Sequence, residues 1–414
     1  MTIWKWLNHK RLRDYPRLIL IASWLVLILN VLLHQGWVGG LTGIMIGGDF
    51  ISNYSGGNLY RTDISHLYDP IAQEANQTEL ISPYQSPGFA PFISPPYVAL
   101  LASLITSIPL AHAFAGWEII NLICVLVSAY LLSTYIVPNW LKDDGLSSIQ
   151  LSIIILSSFA FVVGFLAGQS HGIILLLCVG IVWAMKKDKW VVAGLLGSML
   201  TYKPQFVLGF LICWLVWGRL KTLLSFGLLT LLWQVPIILS HGISPYLEYL
   251  KFTKSLLYLP YARDSFPISI MATPYAFLST LFPPNYSRLI QLILVFIIIG
   301  MSFFMAFISY KSRKLPFNNQ VFTISVAIIF PLIIAPHTLI YDLLILVPAL
   351  ILLATIEEIS QPIKLWAVII YICMLFFPPI GYIIKLALPG LLPLALFIYL
   401  LIIYIRKNTI AEAN

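Results

Sequence analysis

Charge is what this sequence has least of. Only 10% of its 414 residues are Asp, Glu, Lys or Arg, where an average soluble domain carries roughly a quarter. Sixteen acids and 24 bases cannot cover a soluble body of this length, which excludes a soluble enzyme and a charged, disordered chain. Cysteine is scarce as well. Cys124, Cys178, Cys213 and Cys373 each sit alone in an apolar run without metal-like spacing, so neither a disulfide scaffold nor a metal site is expected. There is no nucleotide-binding glycine loop and no evident internal repeat. What the chain does have is 60% hydrophobic residues, a mean hydropathy of +0.92 and apolar runs long enough for a bilayer. The net charge of +8 comes from short basic clusters between those runs. That pattern orients membrane proteins, and no nucleic-acid partner is implied. The basic N-terminus MTIWKWLNHKRLRDYPR precedes an apolar run with no small-x-small cleavage site, so it is expected to remain as an uncleaved first span.

Apolar runs fall near residues 17–35, 114–136, 149–166, 170–185, 190–202, 204–217, 222–240, 287–309, 320–335, 339–356, 363–380 and 386–405. The expected fold is therefore an all-α, polytopic transmembrane helix bundle of about 12 spans, forming a single integral membrane domain over 1–414. A further run, 95–110, begins with two prolines and is short for a bilayer that needs about 20 helical residues. Laid along the surface, it leaves most bases on one side, including Lys186, Lys187, Lys189, Arg219, Lys221, Lys311, Arg313 and Lys314. Laid across the membrane, it would flip those clusters outward, against the positive-inside tendency. The first arrangement places both termini in the cytoplasm. It makes 36–113, with its juxtamembrane helices, a first external segment after the first span of an N-terminal module at 17–240. A second external segment at 241–286 precedes a C-terminal module at 287–405. The two external segments are rich in Tyr, Trp and Pro and are expected to fold together.

Runs 190–202 and 204–217 are individually too short. A 13-residue helix covers about 20 Å of a hydrocarbon core about 30 Å thick, so the break Tyr202-Lys203-Pro204 should lie below the outer surface. A charged turn at that depth is tolerated only where it lines a cavity. Asp49, Gln169, His171, Tyr202, Lys203, Arg263 and His337 all fall on this outer side.

Asp49 reads either as a helix N-cap or as a partly shielded carboxylate with raised proton affinity, suited to a general base. Lys203 reads either as a snorkelling lysine or as a buried cation that needs an anion. A phosphate is the natural partner, which Arg263 and His337 can share. Arg263 with Asp264 also fits a solvated loop pair, and His337 an interface histidine. Gln169 and His171 suit either the orientation of sugar or phosphate oxygens or an ordinary polar connector. Asp63, Tyr68, Asp69 and Pro70 read as a turn closing a helix, with Asp69 capping the next one.

Taken in order, GGDFISNYSGGNLYRTDISHLYDP, SPGFAPFISPPYVALLASLI, FLAGQSHGIILLL, GLLGSMLTYKPQFVLGF and APHTLIYDLLILVPAL make the chain resemble the bacterial glycosyltransferase family 87 proteins, a branch of the GT-C membrane glycosyltransferases. The resemblance runs over roughly 40–350. It implies an inverting transferase that moves a hexose, often mannose, from a polyprenyl-phosphate donor to a lipid or glycan acceptor. The reaction takes place at the external side of the cytoplasmic membrane, among membrane lipids, with no cofactor and with no residue assigned to a metal. Carried over, Asp49 is the catalytic base, the family's Gly-Gln turn maps onto Gly168 and Gln169, its Lys-Pro break onto Lys203 and Pro204, and its late histidine onto His337. Lys203 and His337, joined by Arg263 on the charge argument above, hold the donor phosphate. Gln169, His171 and Tyr202 position substrate. Ser170 and His171 depart from the family's usual small residue and Asn, which puts the role of His171 in question. Two rivals use the same kind of cavity: a flippase or transporter for a lipid-linked saccharide, and an O-antigen-type ligase or polymerase. A transporter would be expected to show repeated halves. A ligase would tolerate loss of Asp49 but not of Arg263 or His337.

Overall fold

The computed structural model of the chain describes residues 9–34, 45–85, 88–256, 270–335 and 337–413. Among these residues every named element is helical, and the extended pairing found is one isolated bridge between Met271 and Leu339. The first half comprises α1 (His9–Leu32), α2 (Gly48–Thr62), α3 (Pro70–Ile81), α4 (Pro96–Ser103), α5 (Leu110–Tyr135), α6 (Asn139–Asp143), α7 (Ser148–Ser157), α8 (Phe159–Ala167), α9 (His171–Lys186) and α10 (Trp190–Met199). The second comprises α11 (Leu208–Val216), α12 (Leu220–His241), α13 (Ser244–Leu256), α14 (Pro274–Leu281), α15 (Ser287–Ser312), α16 (Phe317–Ile334), α17 (Leu346–Leu353), α18 (Glu357–Ile384) and α19 (Leu391–Ala413).

The all-helical membrane architecture matches the hydropathy, whereas the expected twelve crossings are not confirmed. Among the described residues, seven helices are long and apolar enough to cross a bilayer: α1, α5, α12, α15, α16, α18 and the apolar part of α19. An eighth arises if α7 and α8 count as one span, bent by 64° where Ser158 interrupts the run and its hydroxyl caps α8 at Phe161 N. The other four runs form the short helices α9, α10, α11 and α17. Hydropathy registers how apolar a run is, whereas crossing depends on unbroken helical length. The run at 95–110 yields only the eight-residue α4.

Apolar burial does not drive helix association within lipid, so packing and interhelical hydrogen bonds carry more of the fold there. Asn121 Oδ1 on α5 accepts from Gly172 N in the first turn of α9 at 3.0 Å. Ser157 and Tyr371 hydroxyls meet at 2.7 Å between α7 and α18. Trp217 Nε1, just past α11, donates to Ser309 O on α15 at 2.9 Å. α16 is enclosed on most sides, while α12 and α15 leave leucines such as Leu228, Leu231 and Leu292 exposed, as lipid-facing surfaces do.

The long segment between α1 and α5 folds on itself. Asp69 caps α3 by accepting from Ile71 N, with Pro70 at the first helical position, as the turn residues predict. Buried Gln73 and Gln77 then pin the proline-rich stretch: Phe92 N donates to Gln73 Oε1 at 2.7 Å, and Gln77 Nε2 donates to Ala90 O at 2.6 Å. α2 lies against α4 so closely that a Cβ on Gly57 would come within 2.6 Å of the Ala102 backbone. Tyr68 meets Tyr249 and Phe252 of α13 at ring distances of 5.5 and 5.8 Å, so the two long polar-aromatic segments pack together.

Candidate active site

The site begins where α2 meets α8. Gly47, at φ 68°, precedes α2, and its N–H donates to Leu166 O at 2.7 Å. This ties the start of α2 to the end of α8. Gly168 closes α8 in the left-handed conformation at φ 73°. A Cβ there would lie 2.6 Å from the Phe50 Cβ, so only glycine fits both the φ and the space. Trp117 Nε1 of α5 donates to Gly168 O at 2.9 Å, and Gln169 N donates to Gly164 O at 2.9 Å. The Gly168-Gln169-Ser170 turn is thereby held from three sides.

Asp49 is not the N-cap of α2. Gly47 occupies that position without a side-chain cap, and Asp49 lies inside the first turn. Its carboxylate is turned inward, where Tyr341 donates to Oδ2 over a long 3.5 Å. Burial raises its proton affinity because desolvation disfavours the charged form. A hydrogen bond from Gln169 and the Lys203 ammonium act against burial, while the Asp342 charge adds to it.

Lys203 does not snorkel. The chain breaks there between the 3₁₀ turns Leu200–Tyr202 and Pro204–Val207, with Lys203 at φ −126° and ψ 76°. Its Nζ donates to Gln169 Oε1 at 2.9 Å and to Asp342 Oδ1 at 3.3 Å. It also lies 5.3 Å from the Tyr341 ring centroid, a cation–π arrangement. The anion that this buried cation needs is thus present within the chain, as Asp342, whereas the sequence pointed to a phosphate as its natural partner. Asp342 is 5% exposed and also accepts from Leu339 N at 3.0 Å, capping the 3₁₀ turn Ile340–Ile345.

His337 lies beside the same charges. Its surface is accessible, yet protein crowds it closely enough that desolvation holds its proton affinity below the usual imidazole value; Asp342 opposes this and Lys203 reinforces it. A neutral ring still offers one N–H donor. The following residues are fastened to the second long segment, where Ala272 N donates to Thr338 O at 2.7 Å.

The other candidates are placed differently. His171 is 2% exposed, edge-on to Phe161 at 4.9 Å, with Nδ1 3.0 Å from Gln169 O. Tyr202 donates to Ser170 Oγ at 2.7 Å. Both brace the turn that carries Gln169, His171 at Gln169 O and Tyr202 at Ser170 Oγ. Arg263, with its neighbours Tyr261 and Asp264, lies outside the described residues, as does Pro336.

Sequence reasoning missed Asp342 and Tyr341. Both lie in APHTLIYDLLILVPAL, read there as an apolar span. A lone carboxylate in such a run was itself the available signal, since intramembrane ionisable residues are costly and are retained for a partner or a function.

Together, Asp49, Gln169, Lys203, Tyr341 and Asp342 form one network drawn from α2, the α8–α9 turn, the break after α10 and the turn before α17. It can accept a proton at one carboxylate while presenting an ammonium donor nearby. The sequence model of a protein family described as glycosyltransferase family 87 matches residues 92–336. That range takes in Gln169 and Lys203 but stops short of Asp49 on one side and of His337, Tyr341 and Asp342 on the other. No curated protein and no solved structure matches the chain.

Proposed function

Because the chain belongs to glycosyltransferase family 87, a family of membrane glycosyltransferases, we propose that it transfers a hexose, mannose in the first instance, from a polyprenyl-phosphate donor to a lipid or glycan acceptor. Transfer occurs with inversion at the outer face of the cytoplasmic membrane. The acceptor hydroxyl attacks the anomeric carbon, and its proton passes to Asp49. The bond to the donor phosphate breaks with its electron pair leaving on the phosphate oxygen. One base and one displacement invert the centre, so no enzyme nucleophile is required.

The roles follow from what each group can offer. Lys203 has three N–H donors, of which Gln169 and Asp342 engage two; the third serves the leaving phosphate, whose charge grows in the transition state. His337 adds a neutral donor. A single ammonium beside Asp49 and Asp342 leaves the cluster short of positive charge for a phosphate, and Arg263 is assigned to supply it. Gln169 bridges base and cation. His171 and Tyr202 act through the turn that positions Gln169.

The observation that carries this reading is the convergence of Asp49 and Lys203, 154 positions apart in sequence, on the amide of Gln169. Hydropathy alone does not require it. Asp49→Asn is expected to lower transfer from a radiolabelled polyprenyl-phosphate mannose by about 10²-fold or more, the lower range for loss of a general base, while donor binding stays within a few-fold. Turnover retained in that variant would refute the assignment. Equal turnover with polyprenyl-phosphate glucose or arabinose would displace mannose as the sugar.

A further inference from the structure

The end of the bundle away from the candidate site is strongly basic. α9 runs from the Gly168–Ser170 turn to Lys186, and α10 returns from Trp190 towards the break at Lys203, so the connection between them lies about 24 Å of helix from the site. Over residues 183–190, 217–222 and 307–317, where α9 meets α10, α11 meets α12 and α15 meets α16, the chain carries eight Lys or Arg and one acid, Asp188. Trp190 Nε1 donates to Asp188 Oδ1. Among the described residues none of the eight bases is ion-paired. Six of them lie over aromatic rings instead.

Two of these are arginines. The Arg219 guanidinium lies 3.9 Å from the centroid of the Trp190 ring, and that of Arg313 lies 3.5 Å from the centroid of the Tyr310 ring. Both side chains are partly buried, and Arg219 Nε and Arg313 Nη1 are buried with no hydrogen-bond partner. An unpaired buried donor is costly, and a desolvated cation without an anion more so. Stacking engages the face of a guanidinium, whereas bidentate bonds to phosphate use its edge.

The two arginines belong to one patch. Trp190 meets Trp217 edge-on at 6.4 Å, and Trp217 Nε1 donates to Ser309 O at 2.9 Å, one turn before Arg313 on α15. On the other side, Lys186 at the end of α9 lies 5.9 Å from the ring of Phe317, which opens α16 four residues after Arg313. Leu224 of α12 and Phe303 of α15, each within about three turns of this end, are exposed as lipid-facing side chains are.

We propose that this patch binds one lipid whose headgroup carries two phosphodiesters, of the cardiolipin type, from the leaflet at that end of the bundle. One phosphate sits at Arg219 and the other at Arg313, with the acyl chains along the apolar flanks of α12 and α15. Basic clusters beside spans attract anionic lipids in general; two separately stacked arginines, each with an unpaired donor, ask for two phosphates. The assignment is independent of the sugar-transfer reading, since none of these residues belongs to the Asp49–Lys203 network.

The test is native mass spectrometry of the full-length protein in detergent, with equimolar cardiolipin, phosphatidylglycerol and phosphatidylcholine added. Cardiolipin is expected to be retained about fivefold over phosphatidylglycerol, the order that one further basic residue near a phosphate supplies. Arg219→Gln and Arg313→Gln should each reduce cardiolipin to the level of phosphatidylglycerol. Lys10→Gln combined with Arg11→Gln removes charge from α1, which packs on α7 and α8, and should leave the preference intact. If one arginine variant fails to fold, the other decides the matter. Equal retention of cardiolipin and phosphatidylglycerol by the unaltered protein, an undiminished preference in either arginine variant, or an equal loss in the α1 variant would overturn the proposal.

Discussion

At the residue scale, two carboxylates with different surroundings set the chemistry. Asp49 is desolvated and weakly bonded, so it holds its proton more tightly than an ordinary carboxylate. For transfer that needs the unprotonated base, the rate should fall on the acid side at a pH above the usual value of about 4. Gln169 pulls in the opposite direction, so Gln169→Leu should move that acid limb higher still. A pH–rate profile of both proteins checks this, and coincident limbs would sink it. The stability linkage has the opposite sign from activity. The folded state binds the Asp49 proton more tightly than the unfolded chain, so its ionisation costs stability as pH rises from the unfolded value through the raised one. Asp342, in contrast, is committed to Lys203 and Leu339. Asp342→Ala should cost about 3 kcal/mol, because it leaves a mostly buried cation without its partner. Adding Lys203→Met should recover part of that loss. Strictly additive destabilisation in a denaturant series of the two single variants and the double variant would show that the pair is not coupled.

At the element scale, the site depends on how helices end rather than on the helices themselves. α8 stops in a left-handed glycine, α10 gives way to two 3₁₀ turns around Lys203, and α17 is preceded by a capped 3₁₀ turn. Each interruption frees backbone and side-chain polar groups at the same place, where they satisfy one another. Gly168→Ala tests the tightest of these joints. Positive φ and a Cβ 2.6 Å from Phe50 should together cost about 1–3 kcal/mol and move the start of α2 away from Gln169. The expected outcome is a lower melting temperature together with reduced transfer. A variant with unchanged melting and activity would show that the turn is not under this constraint. The caps were legible in advance where they were local, as at Asp69. Asp49 was open to the same local reading but lies two residues further in, within the first turn, because Gly47 takes the cap position and is held by Leu166 from a distant helix.

At the scale of the whole molecule, the amino-acid sequence by itself determined the class: too little charge for water, apolar runs in series, helices throughout, and polar breaks at Gly168–Ser170 and Tyr202–Pro204. These are local quantities, set by side-chain transfer energies and backbone propensities that each segment carries with it. Which runs are long enough to cross was left in part to the tertiary structure, since the 64° bend at Ser158 arises from packing that hydropathy does not register. So was the identity of the partner of Lys203. A buried ammonium announces that an anion must be near, but not which one, and Asp342 lay concealed in an apolar run until the fold brought it within 3.3 Å. Proximity between residues 139 positions apart is a property of the packed bundle, where the cost of burying each charge is met only when the other arrives.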